Sequence, residues 1–247
     1  MISKNQLKLI HALDLKKQRK KHCLFLVQGE KNVDELFNSS FTIKQLFATA
    51  AYINKNSALL NEKGLVSLTV EATQEELKKA GTLVSNNSVL AVVECKTTAL
   101  PTIRGNELIL VLDKVGDPGN LGTIIRVADW YGIEQIVCSS DCADFYNPKV
   151  IAATMGSFAR VKISYTNLTE YLRLQTKPVY GAFLEGENIH KTQLSKSAFI
   201  VMGSESHGIS GDVAKLITDK ITIPSFGQAE SLNVAMATGI ILDNFKR

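Results

Sequence analysis

The stretch ITIPSFGQAESLNVAMATGII, residues 221–241, decides how the rest of the chain is read. Its β-branched start at residues 221–223 reads as a strand, and Pro224, which has no amide hydrogen, closes that strand. Ser225, Phe226 and Gly227 make a tight loop. Glu230 and Ser231 then stand before Leu232, Ala235, Met236, Gly239 and Ile240, which recur at helical spacing. A strand, a loop and a capped helix in that order leave unpaired backbone amides at one rim of a sheet, where a small ligand or a phosphate can be held. An ordinary terminal strand–helix unit has the same pattern, so residues outside the stretch must separate the two readings.

With 247 residues the chain has room for one large domain or two modest ones, each with its own core. A hydrophobic share of 45% against 21% charged residues fits a soluble globular protein. No window reaches the roughly 18 uninterrupted apolar residues of a membrane helix, and the first residues lack the apolar block of a secretory signal, which points to the cytoplasm. Cys23, Cys95, Cys138 and Cys142 are scattered, without the His or Cys partners a metal site needs, and are expected to be reduced and structural. A net charge of +4 permits a polyanionic partner without requiring one.

Residues 3–13 place Leu7, Ile10 and Leu13 on one helical face. Lys16, Lys17, Arg19, Lys20 and Lys21 follow as a basic edge, readable as a solvated face or as a set of phosphate contacts. Strands are expected at 23–28, 46–50, 65–70 and 89–93, with helices at 30–37, 57–61 and 73–79; Thr73 and Glu76 form a capping-box pattern at the last. This predicts a small α/β unit over residues 1–95. Residues 96–105, with Pro101 and Gly105, break the periodicity and read as a linker. LILVL at 108–112 is apolar on both faces, as at the centre of a parallel sheet. After it the pattern gives a loop to residue 122, a helix over 123–130, strands at 135–138, 161–164, 179–183 and 198–202, and helices at 149–158 and 168–174. The second part, residues 106–247, is therefore expected to be an α/β sheet of some six strands.

Three loops of this second part are rich in Gly and small polar residues, and each follows an apolar strand, so all three fall on the rim where parallel sheets bind ligands. DPGNLGTIIR at 117–126 permits close backbone approach, offers Asn120 as a helix cap, and carries Arg126 off the apolar stripe, free to reach an anion. It lacks the GxGxxG spacing of a dinucleotide fingerprint. MGSESHGIS at 202–210 holds Glu205 and His207, readable as an acid–base pair or as solvated loop residues. The third loop lies in the opening stretch.

Together the three segments resemble, in order and at natural spacing, the three motifs of the SpoU, or TrmH, family of SPOUT RNA methyltransferases. The resemblance covers about residues 106–247. NPKVIAATMGS at 147–157 is also similar to the family, although Ala152 stands where many members have a basic residue. The N-terminal KKQRKKHCLFLVQGEK is similar, more loosely, to the substrate-binding domain of ribosomal-RNA members. The resemblance implies a C-terminal SPOUT α/β domain with a deep trefoil knot, preceded by a small α/β RNA-binding domain. It also implies S-adenosylmethionine held at Gly203, Ile223 and Leu232, a homodimer, and methylation of a ribose 2′-hydroxyl at a site built from Asn120, Arg126, Glu205, Ser231 and Asn233. No metal is implied.

A guanidinium stays protonated in almost every setting, so Arg126 is expected to fix a phosphate and stabilise a developing alkoxide rather than act as the base. Ser231 or a water would relay the proton, with Asn120 and Asn233 orienting the partners and Glu205 anchoring the loop or the arginine. Two alternatives stand beside this reading. One is a transfer-RNA methyltransferase of the same family, whose members typically lack the separate N-terminal domain. The other is a catalytically silent RNA-binding factor, against which the intact Arg126, Glu205, Ser231 and Asn233 argue.

Overall fold

The computed structural model describes residues 1–82 and 88–247. Along the chain, α1 (Lys4–Ala12) is opened by a Ser3 capping box and followed by α2 (Lys16–His22), β1 (Leu24–Gln28), α3 (Glu30–Phe37) and β2 (Ile43–Ala48). Next come α4 (Ala50–Lys55), α5 (Ser57–Glu62), β3 (Thr69–Glu71), α6 (Gln74–Ala80) and β4 (Val89–Glu94). The four strands form one mixed sheet in the order β1-β4-β2-β3, with β4 antiparallel to both neighbours. Its core joins Ile10 and Leu13 to Leu26, Phe47, Leu77, Leu90 and Val92. Two elements depart from the sequence reading. Helix α4, capped by Thr49, was not expected, because six residues are too few to show a periodic stripe. The strand expected at 65–70 divides into a 3₁₀ turn at Val66–Leu68 and the short β3.

The chain continues with β5 (Leu108–Leu112), α7 (Pro118–Trp130), β6 (Gln135–Cys138), α8 (Pro148–Thr154), β7 (Lys162–Tyr165) and α9 (Leu168–Arg173). It ends with β8 (Val179–Asn188), β9 (Ala198–Met202), α10 (Gly211–Ala214), β10 (Asp219–Thr222) and α11 (Val234–Lys246). Six parallel strands stand in the order β10-β8-β9-β5-β6-β7. Strand β5 sits inside this sheet with all five residues buried, as its two-sided apolar run requires. Because every strand points the same way, the loops that follow them share one rim.

Two compact units emerge: Met1–Lys96 with Asp144–Ala159, and Thr97–Ala143 with Arg160–Arg247. The segment Asp144–Ala159 therefore clusters with the first unit, although the sequence reading placed it within 106–247. Its side chains give the reason. Asp144 accepts hydrogen bonds from Arg19 at 3.0 and 2.5 Å, while Phe25 packs on Tyr146 and Phe158 at centroid distances of 4.4 and 6.4 Å. Helix α8 stops at Thr154 rather than at 158, since Met155 takes a left-handed φ of 52°. Gly156 follows at φ 101°, where a Cβ would meet the Glu35 side chain at 2.6 Å. Part of the expected linker is anchored: Tyr171 donates to the buried carbonyl of Pro101 at 2.7 Å in the second unit.

Among the described residues, no helix is long and apolar enough to cross a membrane, and no group of His, Cys, Asp and Glu is arranged to hold a metal ion.

Candidate active site

The three loops meet through side chains. Helix α7 begins at Pro118, five residues earlier than the spacing suggests; proline is suited to a first turn, and Asp117 accepts the Asn120 amide at 2.8 Å as the cap. Asn120 is thus not the cap expected of it but a first-turn residue with a free side chain. Its carboxamide donates to Glu205 of the second loop and accepts from Asn233 of the third at 2.9 Å. Asn233 is in turn the cap of α11, accepting the amides of Ala235 and Met236 at 2.9 and 3.4 Å. One residue of each motif therefore belongs to a single hydrogen-bonded chain.

Helices α7 and α11 run side by side in the same direction. Asn120 meets Asn233 at their starts, and Tyr131 meets Asp243 near their ends at 3.4 Å. Two helix N-termini of 13 residues each thus open on one rim, where their dipoles favour negative charge. Helix α11 starts at Val234 and not at Leu232, and its buried side is Val234, Ala235, Thr238, Ile241, Leu242 and Phe245. Of the residues that recur at helical spacing, Leu232 and Met236 are 50% and 64% exposed. Leu232 precedes the helix, and Met236 lies on the side that the helix presents outward.

Arg126 is exposed on the α7 face that carries Thr123. The nearby acid Asp129 is held by Arg160 at 2.8 Å. Ser231 is exposed as well, two residues before the cap. Glu205 anchors Asn120 rather than an arginine. His207 is exposed, and its backbone amide donates to Ser204 at 3.2 Å, within a loop closed by the Ser204–Gly208 bridge. That bridge sets the residue type at Gly203, since a Cβ there would fall 2.1 Å from the Gly208 backbone. Residues 224–232 have no helix or strand, and their amides donate to no backbone carbonyl among the described residues, leaving a run of backbone groups able to hold a ligand beside Ile223 and Leu232.

Two further residues border these loops. Asp113, 2% exposed at the end of β5, accepts the Ser210 amide at 2.7 Å and so ties the first motif strand to the end of the second loop. An acid closing a wholly apolar strand was the available signal. Leu184, 76% exposed, lies beside the third loop because Thr222 donates to its carbonyl at 3.0 Å. A polar cleft of about 500 Å³ borders the same rim, lined among others by Asp113, Lys114, Ser139, Asn167 and Ser210.

In the first unit, Lys16, Lys17, Lys20 and Lys21 are exposed, but Arg19 does not belong with them. It is 3% exposed, paired with Asp144 and donating to the carbonyls of Leu13 and Asp14 at 2.8 Å. One residue of α2 points inward, and a helix with no apolar side chain gives periodicity nothing by which to mark it.

The class so defined is a parallel α/β domain whose rim joins two helix N-termini and a stretch of chain whose amides pair with no backbone carbonyl among the described residues. Comparison with known proteins narrows it. The SpoU rRNA Methylase family matches residues 107–243, and the MRM3-like substrate binding domain matches residues 4–91. The 23S rRNA (guanosine(2553)-2′-O)-methyltransferase RlmP of Bacillus subtilis is 30% identical over 93% of this chain and 91% of its own. A TrmH-family structure from Porphyromonas gingivalis is 37% identical at a TM-score of 0.86, covering 100% of this chain and 98% of its own. An AdoMet-bound rRNA methyltransferase from Sinorhizobium meliloti is 28% identical at a TM-score of 0.88, covering 99% of this chain and 96% of its own. The chain belongs to the SpoU rRNA methylase family.

Proposed function

We propose that this chain is an S-adenosylmethionine-dependent RNA methyltransferase acting on a ribose 2′-hydroxyl, with ribosomal RNA as its substrate. The observation that carries the reading is the Glu205–Asn120–Asn233 chain, which brings together one residue from each of the three loops at the start of the helix that carries exposed Arg126. Family membership and a relative named as a 23S rRNA 2′-O-methyltransferase support it. S-adenosylmethionine supplies the electrophilic methyl group when bound. The uncommitted backbone of residues 224–232 suits a ligand held by main-chain groups, and we assign Gly203, Ile223 and Leu232 to its site.

The remaining chemistry falls to the side chains. The target hydroxyl must lose a weakly acidic proton while it is held in line with the methyl group. Arg126 stays charged, so it grips the adjacent phosphate and stabilises the growing alkoxide, assisted by the two helix N-termini. Ser231, exposed at the same loop, passes the proton to water. Asn120 and Asn233 orient the reacting groups, and Glu205 fixes Asn120. Lys16, Lys17, Lys20 and Lys21 contact RNA phosphates from the first unit.

The same reading includes residues 1–95 as the RNA-binding domain, a deep trefoil knot within 106–247, and a cytoplasmic protein. It also includes a homodimer, supported by exposed Leu232 just before α11, Met236 on α11 and Trp130, 84% exposed, on the neighbouring α7. Light scattering at working concentration should report twice the chain mass. Mapping ribose methylation across ribosomal and transfer RNA, with and without the gene, tests the substrate. Loss of one ribosomal-RNA methyl group is expected; loss from transfer RNA would move the protein to the other substrate class, and no loss would contradict the activity.

A further inference from the structure

We propose that Cys23 and Cys95 form a reversible intramolecular disulfide, closed by a small anionic disulfide of the glutathione class. The two residues lie just beyond the paired ends of β1 and β4: Leu24 opposes Glu94, and the Cys95 amide donates to the Cys23 carbonyl at 2.8 Å. That bond brings the two backbones as close as paired strands, with Cα atoms about 5 Å apart and within the roughly 4.4–6.8 Å span of a disulfide, and the Cys23 thiol lies near enough to act on the charge of Cys95. All four cysteines are free, yet Cys138 and Cys142 are buried, while Cys23 is exposed and Cys95 half-buried. Accessibility therefore singles out this pair.

Its surroundings select the oxidant. Cys23 caps α2 in the left-handed conformation, φ 52°, directly after Lys20, Lys21 and His22. That basic run attracts an anionic disulfide. The Cys23 thiol lies over the helix end, donating to the Lys20 carbonyl at 3.6 Å, and rotation about χ1 is needed to turn it toward Cys95. Burial, aided by the Asp144 charge, pushes the Cys95 thiol up to about 12. Cys23 is thus the first to react and Cys95 the slower, resolving thiol.

The exchange balances without another reactant. The Cys23 sulfur, having lost its proton, attacks one sulfur of the oxidant, breaks its S–S bond and expels one glutathione thiolate. Cys95 then loses its proton and attacks the Cys23 sulfur of the mixed disulfide, expelling the second. Two protein thiols are oxidised, one external disulfide is reduced, and the two released protons are taken up by the two glutathione thiolates. The bridge ties the end of α2 to the end of β4, and so constrains the helix that carries the exposed lysines.

The test is incubation of the full-length protein with glutathione disulfide, followed by intact-mass measurement and peptide mapping after alkylation of free thiols. The wild type should lose two hydrogens and yield a Cys23–Cys95 linked peptide that dithiothreitol releases. Cys95→Ser should stop with one glutathione attached at Cys23, and Cys23→Ser should form no bridge. A wild type that stops at the glutathione adduct, keeps both thiols alkylatable, or links a different pair overturns the proposal. None of these outcomes depends on RNA methylation, so failure here and failure of the proposed function are separable.

Discussion

Asn120 is the residue on which the most geometry converges, because its one carboxamide joins Glu205 to Asn233. Its donor faces a carboxylate and its acceptor faces an amide, so a change of charge is worse than a loss of contact. Asn120→Asp sets a second carboxylate against Glu205 and should lower the methyl-transfer rate by roughly tenfold or more, and by more than Asn120→Ala does. Steady-state rates of the two variants with saturating RNA check the order. That this residue belongs to a loop meeting the other two was legible from the motif, whereas its hydrogen bonding was not. It was read as a helix cap, because Gly119 and Gly122 look like loop residues until Asp117 is seen to start the helix at Pro118. The burial of Arg19 was hidden for a different reason: its partner, Asp144, lies 125 residues away in sequence.

At the scale of elements, the Arg19–Asp144 pair joins α2 to the segment between β6 and β7. The Arg19 side chain is 3% exposed and that of Asp144 17%, so removal of the carboxylate leaves a buried charge with only carbonyl partners. Asp144→Ala should destabilise the first unit by about 3 kcal/mol, read from urea unfolding followed at that unit. Helix α6 gives a pH-dependent counterpart. Glu76 accepts the amides of Thr73 and Ile2 at 2.8 and 3.1 Å, and the Thr73 bond leads in holding its carboxyl below the usual value of 4.5. A carboxyl lowered in the folded state adds stability above its unfolded pKa and loses it as pH falls through the folded one. The protection factor of the Thr73 amide should therefore fall below about pH 4.5, and Glu76→Gln should remove that dependence. This capping box was legible in the residues 73–76, because both partners are three positions apart. Helix α4 and the split at residues 65–71 were not, being too short for periodicity to register. For α11, hydrophobicity on two sides left the inward face undetermined, and packing against α7 selected it.

For the whole molecule, the parallel sheet was legible because β5 is apolar on both faces and each Gly-rich loop follows a strand. The division into units was less so, since a segment between two strands of one sheet clusters with the other unit. Binding should reflect that division of labour. Replacing Lys16, Lys17, Lys20 and Lys21 together by Ala should weaken RNA binding and flatten its salt dependence, with S-adenosylmethionine affinity unchanged by calorimetry; Arg19 is left in place because its loss would unsettle the fold. In the proposed mechanism the three loops hold a methyl donor against a ribose hydroxyl, and Arg126 serves the transition state. Single-turnover transfer from S-adenosylmethionine to RNA, with the product nucleoside identified and cofactor affinity titrated in parallel, tests it most directly. Wild type should yield a 2′-O-methylated nucleoside. Arg126→Ala should be slower by more than about a hundredfold, roughly 3 kcal/mol, with cofactor affinity unchanged, and Arg126→Lys should recover little of it. A base-methylated product, normal turnover by Arg126→Ala, or a loss explained wholly by failed cofactor binding would contradict the account.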